Sequence, residues 1–393
     1  MAMTGWIALV LVLVIGLRLD GIAIGLLSGL GLSLLTFLGY VQPVSPPSEL
    51  IILQASWLIF NATLDAIGFF YFLNEQLRIF LQKHSRYPYL CALIFCYCLT
   101  FVTGDRRCFN MHDPSIQGKL SIRQLVSVRI AMHMASLASP LSISGILLLL
   151  VLRNNFLPAL GILCMVLSGT VVITVLSSML LCLIPCTWST KLDQSLKLYY
   201  NSEVTMTDIG ADSKWVKYKS YILVFSFLCL VQVVFLLSKP QSGELTRVIC
   251  CEKVFLVKLP MFLTLVLLSA AALFMLYAGI KPAKIVQSKR FRLGIQQFFI
   301  YFGLAWLAET LITNDKAFLG KMFNEISIFD HPFFYLICFF CLLLVDAPIV
   351  IWLFVPVLIW SHFSLLNLTL IITFLYFLSL VRSFLVEVCR SKM

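Results

Sequence analysis

Two short stretches hold most of the side chains with chemical capacity. The first, VTGDRRCFNMHDPSIQG (102–118), follows the apolar run CALIFCYCLTF and gathers Thr103, Gly104, Asp105, Arg106, Arg107, Cys108, Asn110, His112 and Asp113. Cys108, His112 and Asp113 are metal-ligand types, but zinc needs three or four ligands. No second cluster completes a set. The second stretch, LASPLSISG, sets Ser139, Pro140, Ser142, Ser144 and Gly145 inside a long apolar segment. Proline removes a backbone donor and breaks a helix there. The start of the half-helix that follows, with its hydroxyls, attracts a carboxylate. The competing reading is a plain proline kink whose serines bond their own backbone. Arg129 and His133 precede the break, four residues apart on one helix face. An arginine fork suits a carboxylate, or it snorkels from a helix end. Asp65, Glu309 and Asp346 are the other acids in or near apolar segments, and Asp346 sits in VDAP.

These side chains must be carried by membrane elements. The 393-residue chain is 61% hydrophobic and only 12% charged, with a mean hydropathy of +0.98; soluble domains are about 25% charged. Apolar runs near the roughly 20 residues that cross a bilayer recur throughout. They fall at about 3–17, 21–41, 49–73, 88–104, 124–152, 156–187, 219–238, 253–280, 294–313, 331–359 and 363–387. Lipid leaves backbone groups unsatisfied, so the expected class is an all-α polytopic membrane protein. The N-terminus lacks a basic start and a small-residue cleavage site, and reads as a first span rather than a signal peptide. The net charge of +11 fits basic cytoplasmic loops. It does not fit nucleic-acid binding, because no basic stripe stands on a soluble domain. The thirteen cysteines sit mostly in apolar runs, as small hydrophobes. Gly21, Gly25 and Gly29 share a helix face, a spacing suited to close helix packing.

Two basic stretches without acids, LRIFLQKHSRYP (Arg78, Lys83, Arg86) and KPAKIVQSKRFR (Lys281, Lys284, Lys289, Arg290, Arg292), read as cytoplasmic loops. Five apolar segments separate them, and an odd number of crossings would place them on opposite sides. The conflict disappears if 88–104 dips into the membrane and returns, which makes 102–118 the turn and return arm of a re-entrant hairpin. An echo agrees: RYPYL (86–90) and DHPFF (330–334) both lead into cysteine-aromatic runs, and Pro88 and Pro332 lie 244 residues apart (332 − 88). Paired, proline-interrupted segments in two halves mark an inverted-repeat transporter. The expected organisation is a first membrane repeat at 1–187, with a hairpin at about 88–116 and a helix break at about 138–145. A cytoplasmic loop follows at 188–218, and a second repeat at 219–393 with a hairpin at about 331–359 and Asp346 at its tip.

Four stretches carry a resemblance to a known family: LRLDGIAIGLLSGLGLSLLTFLGYVQP (17–43), QGKLSIRQLVSVRIAMHMASLASPLS (117–142), FGLAWLAETLITNDKAF (302–318) and DHPFF (330–334). In order and spacing over nearly the whole chain they resemble the anaerobic C4-dicarboxylate transporter (Dcu) family. The resemblance implies an ion-transporter-superfamily-like fold with two inverted repeats, re-entrant hairpins and broken helices. It implies exchange or uptake of fumarate, succinate, malate or aspartate at the bacterial inner membrane. Carried over, Thr103 and Gly104 match the first hairpin tip, Ser139 and Pro140 the first helix break, and Arg123 an arginine ahead of that helix. The sequence departs from the family at several points. Asp105, Arg106 and Arg107 replace a nearly uncharged hairpin, Trp352 stands where a lysine is expected, and LSLVRS (378–383) stands where a Thr- and Pro-rich break is expected. The chain also stops near where the family's final helix would begin.

The leading expectation is therefore a secondary transporter of C4-dicarboxylates. Its substrate is held by Thr103, Gly104, Asn110, Arg129, His133, Ser139, Pro140, Ser142 and Asp346. The expected partners are a small dicarboxylate, the lipid bilayer, and a coupling ion or counter-substrate; homo-oligomerisation stays open. No cofactor and no metal is implied. The departures motivate a second reading, a transporter scaffold kept without transport. A third, a membrane enzyme with His133 or His331 as an acid-base group, finds no nucleophile or metal cluster at a recognisable spacing, and the chain is read as a non-enzyme.

Overall fold

A computed structural model describes residues 2–19, 22–83, 87–106, 109, 120–154, 159–183, 221–229, 245–250, 253–315, 371–373 and 376–377. Helices dominate: α1 (Ala2–Leu19), α2 (Ala23–Phe37), α3 (Ser48–Ile67), α4 (Phe69–Lys83), α5 (Pro88–Thr103), α6 (Ile122–Ala138), α7 (Ile143–Asn154) and α8 (Ala159–Leu183). A helical stretch at 221–229 follows, then α9 (Leu259–Ala278), α10 (Pro282–Gln287) and α11 (Lys289–Asn314). The described strands are β1 (Leu245–Cys250) and β2 (Lys253–Lys258), an antiparallel pair in register from Leu245–Lys258 to Cys250–Lys253. Among the described residues four apolar stretches are long enough to cross a membrane: Ser48–Ile67, Arg123–Leu148, Pro260–Ala278 and Lys289–Asn314. This is an all-α polytopic membrane protein, with a short β-hairpin among the described residues.

Burial sorts the helices. The Arg123–Leu148 stretch, which carries most of the buried serines, is 94% buried, against 33% for Pro260–Ala278. The outer helices expose large apolar side chains, among them Ile7 and Leu11 on α1, Leu26 and Leu34 on α2, Leu176 and Leu180 on α8, and Leu273 and Leu276 on α9. Contiguous apolar exposure of this kind faces lipid rather than water. Within that shell, α6 packs on α5 and α8, and α3 packs on α9, α10 and α11. Among the described residues the largest apolar cluster joins α3, α4, α5, α6 and α9 through Phe60, Leu64, Phe70, Cys96, Met132 and Phe274.

Several sequence expectations change. The segment expected at 49–73 is two helices, because Gly68 ends α3 in the left-handed conformation, φ 89°. The first basic stretch is not a loop over Arg78 and Lys83. Both belong to α4, where Arg78 pairs with Glu75 at 2.5 Å. The segment expected at 253–280 begins as strand β2 before α9. Of the glycine face on α2, Gly25 is the close contact: a Cβ there would lie 2.2 Å from the Phe299 carbonyl oxygen of α11, and one on Gly303 would lie 2.1 Å from the Gly25 carbonyl oxygen. The two backbones touch because neither position has a side chain. Gly29 faces open space, and Gly21 lies outside the described residues. The second basic stretch is a short helix, a turn at Ser288 and the start of α11, with Ser288 capping Phe291 N. Lys281, Lys284 and Arg292 are exposed, but Arg290 turns inward and is buried.

Candidate functional site

The first candidate element, the end of α5, is shaped by Thr103 and Gly104. The Thr103 hydroxyl donates to Leu99 O at 2.8 Å. Gly104 caps the helix with φ 73°, its N–H donating to Thr100 O. At 16 residues, α5 is about 24 Å long, short of the roughly 30 Å of a hydrocarbon core.

The second element is the break between α6 and α7. A capping box starts α6: Ser121 Oγ accepts from Gln124 N, and Ser121 N donates to Gln124 Oε1 at 3.0 Å. Seventeen helical residues later Ser139 is extended, φ −73°, ψ 125°, and α7 resumes at Ile143. The interruption expected at 138–145 is thus located at Ser139–Ser142, within one turn. Pro140 supplies no N–H to continue the ladder. Ser142 caps α7, its Oγ accepting from Gly145 N at 2.8 Å and donating toward Ser136 O. The Ser139 hydroxyl accepts from Leu141 N at 3.3 Å. The Leu141 carbonyl, freed by the break, accepts from Trp57 Nε1 of α3 at 2.9 Å.

The two elements meet. A Cβ on Gly104 would lie 2.6 Å from Leu141 C and Ser142 N, so only glycine lets the end of α5 rest backbone-to-backbone on the break. The residues after the tip extend the site. Asp105 is buried and bonded to the Arg290 guanidinium. Arg290 Nε also faces Asp65 at 3.4 Å, and the guanidinium lies 3.5 Å over the Phe70 ring. Arg106 Nη1 lies 2.7 Å from His133 Nδ1. A guanidinium only donates, so Nδ1 accepts and the imidazole proton is on Nε2. His133 stacks on Tyr376, centroids 4.6 Å apart. The Tyr376 hydroxyl bonds Ser136 at 2.8 Å and Ser144 at 3.2 Å.

Of the residues singled out in the sequence, Thr103, Gly104, His133, Ser139, Pro140 and Ser142 come together. Arg129 is buried on α6, further along the helix from the break. Glu309 is half-buried on α11, and Asp65 belongs to the Arg290 cluster. Asn110, Asp346, the returning arm of the first hairpin, the 188–218 loop and the 331–359 hairpin lie outside the described residues, as do Cys108, His112 and Asp113. Among the described residues no group of three or more His, Cys, Asp or Glu side chains is gathered as for a metal. Trp57, Arg290 and Tyr376 were not anticipated. Arg290 is indistinguishable from Lys289 and Arg292 in a basic run, and Tyr376 is one aromatic in the apolar string FLYFL.

A multi-pass helical shell around a buried broken helix, with another helix end resting on the break, defines the class of polytopic membrane transporters built on interrupted helices. The chain belongs to the anaerobic C4-dicarboxylate membrane transporter family, whose family model matches residues 1–380. It is similar to the C4-dicarboxylate transporter DcuA of Escherichia coli strain K12, 24% identical over 345 residues, covering 85% of this chain and 77% of that one. It is also similar to the anaerobic C4-dicarboxylate transporter DcuB of Escherichia coli O6:H1, 25% identical over 350 residues, covering 81% and 74%. DcuA of Helicobacter pylori is 26% identical over 341 residues, covering 84% and 74%. No solved structure matches. The family are transporters, in line with the reading of this chain as a non-enzyme.

Proposed function

We propose that this chain is a secondary transporter that moves C4-dicarboxylates, such as fumarate, succinate, malate or aspartate, across the bacterial inner membrane by uptake, efflux or exchange. The observation that carries the reading is the contact of Gly104 with Leu141 and Ser142. It joins a short helix tip to a broken helix in the most buried of the four membrane-length stretches among the described residues, the arrangement that lets half-helix ends and hydroxyls meet an anion away from water. Thr103, Gly104, His133, Ser139, Pro140 and Ser142 surround this junction, with Arg129 further along α6; Asn110 and Asp346 belong to the same expected site. In this reading 88–116 is a re-entrant hairpin, 1–187 and 219–393 are inverted repeats joined by a cytoplasmic loop, and a coupling ion or counter-substrate drives the cycle. The test is flux of labelled succinate or fumarate into liposomes holding the purified chain. Flux above that of empty liposomes is expected; folded protein without it overturns the reading.

One observation favours a second reading, a scaffold kept without transport. The hydroxyls of Ser136, Ser142, Ser144 and Tyr376 bond one another and nearby carbonyls. A break that satisfies itself needs no substrate. Dicarboxylate binding without flux would select this reading.

A further inference from the structure

We propose that Tyr376 is the residue through which the second half of the chain sets the geometry of the substrate break, its hydroxyl bridging the half-helices on either side of Pro140. This inference rests on the dicarboxylate-transport reading and names a positioning residue within that site. Ser136 lies on the last turn of α6 and Ser144 on the first turn of α7. The Tyr376 oxygen reaches the first at 2.8 Å and the second at 3.2 Å. It thus spans the interruption at Ser139–Ser142. The Ser136 hydroxyl has one proton, which it gives to the His133 carbonyl at 2.7 Å. Tyr376 therefore donates to Ser136 and accepts from Ser144. All three residues are buried, so the relay orients both serines away from bulk water and ties the end of α6 to the start of α7.

The tyrosine is itself firmly held. Its ring stacks on His133, centroids 4.6 Å apart. Ile371, Ile372 and Thr373, about one turn earlier, are buried. A Cβ on Gly169 of α8 would lie 3.1 Å from the Thr373 side chain, and α8 in turn packs on α6. The hydroxyl is therefore aimed from a packed backbone, as a group that sets the geometry of a site must be. The repeat offset points to the same place. At the 244 residues that separate Pro88 from Pro332, His133 corresponds to Phe377 (133 + 244), the neighbour of Tyr376. A residue that touches almost its own counterpart lies near the two-fold axis relating the two copies. Inverted-repeat transporters bind substrate at that repeat interface. Tyr376 is thus where the second half enters the site of the first.

The test is labelled-succinate flux into liposomes holding the full chain, measured over a range of succinate concentrations and normalised to folded protein, with ligand-free melting alongside. Tyr376→Phe keeps the ring and its stack but removes the bridge. It should raise the succinate concentration for half-maximal flux by about threefold or more, the size of one lost hydrogen bond, while maximal flux changes by less than about twofold. Ser144→Ala should shift half-saturation in the same direction. The double variant Tyr376→Phe/Ser144→Ala should be no weaker than the weaker single one, because both remove the same bond. Tyr97→Phe is the matched structural control. Its hydroxyl bonds Thr170 of α8 at 2.9 Å rather than a residue of the break, so its loss should lower melting without moving half-saturation. Unchanged half-saturation in Tyr376→Phe, an equal shift in Tyr97→Phe, or additive shifts in the double variant overturn the assignment. If Tyr376→Phe does not fold, Ser136→Ala and Ser144→Ala decide, and unchanged half-saturation in both overturns it. If the unchanged chain gives no flux with any diacid, the transport reading falls and the inference with it. A chain that transports while Tyr376→Phe matches it removes only the inference.

Discussion

Asp105 and Arg106 are consecutive, yet they enter two opposite kinds of site. Asp105 joins Asp65 around Arg290, with Phe70 beneath the guanidinium, tying the end of α5 to α3 and the start of α11. Arg106 joins His133, Tyr376 and the serines of the helix break. In the first cluster opposite charges meet each other in a buried position. In the second, an arginine meets an imidazole ring that stacks on a tyrosine bonded to serine hydroxyls. A buried cluster of opposite charges holds elements together, whereas hydroxyls at a helix break are groups that can turn to a ligand. The difference separates a charge cluster from a junction of rings and hydroxyls within two residues of one turn, and it can be broken experimentally at each end.

The largest effect should come from Arg290→Ala. Removing the cation leaves Asp65 and Asp105 facing each other in a buried site, and breaking a buried pair in this way costs about 3–5 kcal/mol. The variant should show the largest drop in melting temperature of any discussed here. A drop no larger than that of Arg106→Gln would erase the distinction between the two clusters. Gly104→Ala should come next. Its φ of 73° and the 2.6 Å approach to Leu141 and Ser142 impose both a left-handed penalty and overpacking, together about 2–4 kcal/mol. Because it also parts the tip from the break, flux should fall with stability. Gly29→Ala is the matched control: a Cβ there meets nothing within 4 Å, and helix propensity favours alanine by up to about 1 kcal/mol. Equal melting of the two alanine variants would mean that the tip does not depend on the contact.

Much of this architecture was legible in the sequence, and the reason is solvent. Lipid forces apolar runs into helices, so α1, α2, α5, α8 and α11 fell near their expected limits. Pro140 announced its break to within a turn, because a missing N–H is a local property that no tertiary contact restores. Gly68 did not announce itself in the same way: the residues around it are apolar on both sides, so α3 and α4 read as one segment. The β1–β2 hairpin was hidden for a similar reason, since apolar strand and apolar helix share composition. In the site, tip and break were each visible, but the contact between them lies in a Cβ that Gly104 lacks. Arg290 illustrates the limit most clearly. A run of basic residues on a helix start gives no sign of which member turns inward; Asp65 and Asp105 decide that, from far away in the chain.

Trp57→Phe probes how the break is supported from outside. It keeps the ring but removes the donor to Leu141 O, leaving a buried carbonyl unmatched at a cost of about 1–3 kcal/mol. If the break is held mainly by its own serines, the melting temperature will barely move, and the second reading of a self-satisfied junction gains ground. If it moves while succinate affinity also falls, α3 helps to position the recognition side of the comparison.

Arg106→Gln should have the smallest effect on stability, about 1 kcal/mol or less. The His133 imidazole nitrogen that it faces can accept from an amide N–H of glutamine, a fair replacement donor. The contrast with Arg290→Ala is that the latter leaves the buried Asp65 and Asp105 behind, whereas glutamine at 106 keeps a donor for His133. Melting of the ligand-free chain is the measurement. A loss comparable to that of Arg290→Ala would mean that Arg106 also closes a charge cluster, and the two regions would then be a single structural latch around the end of α5.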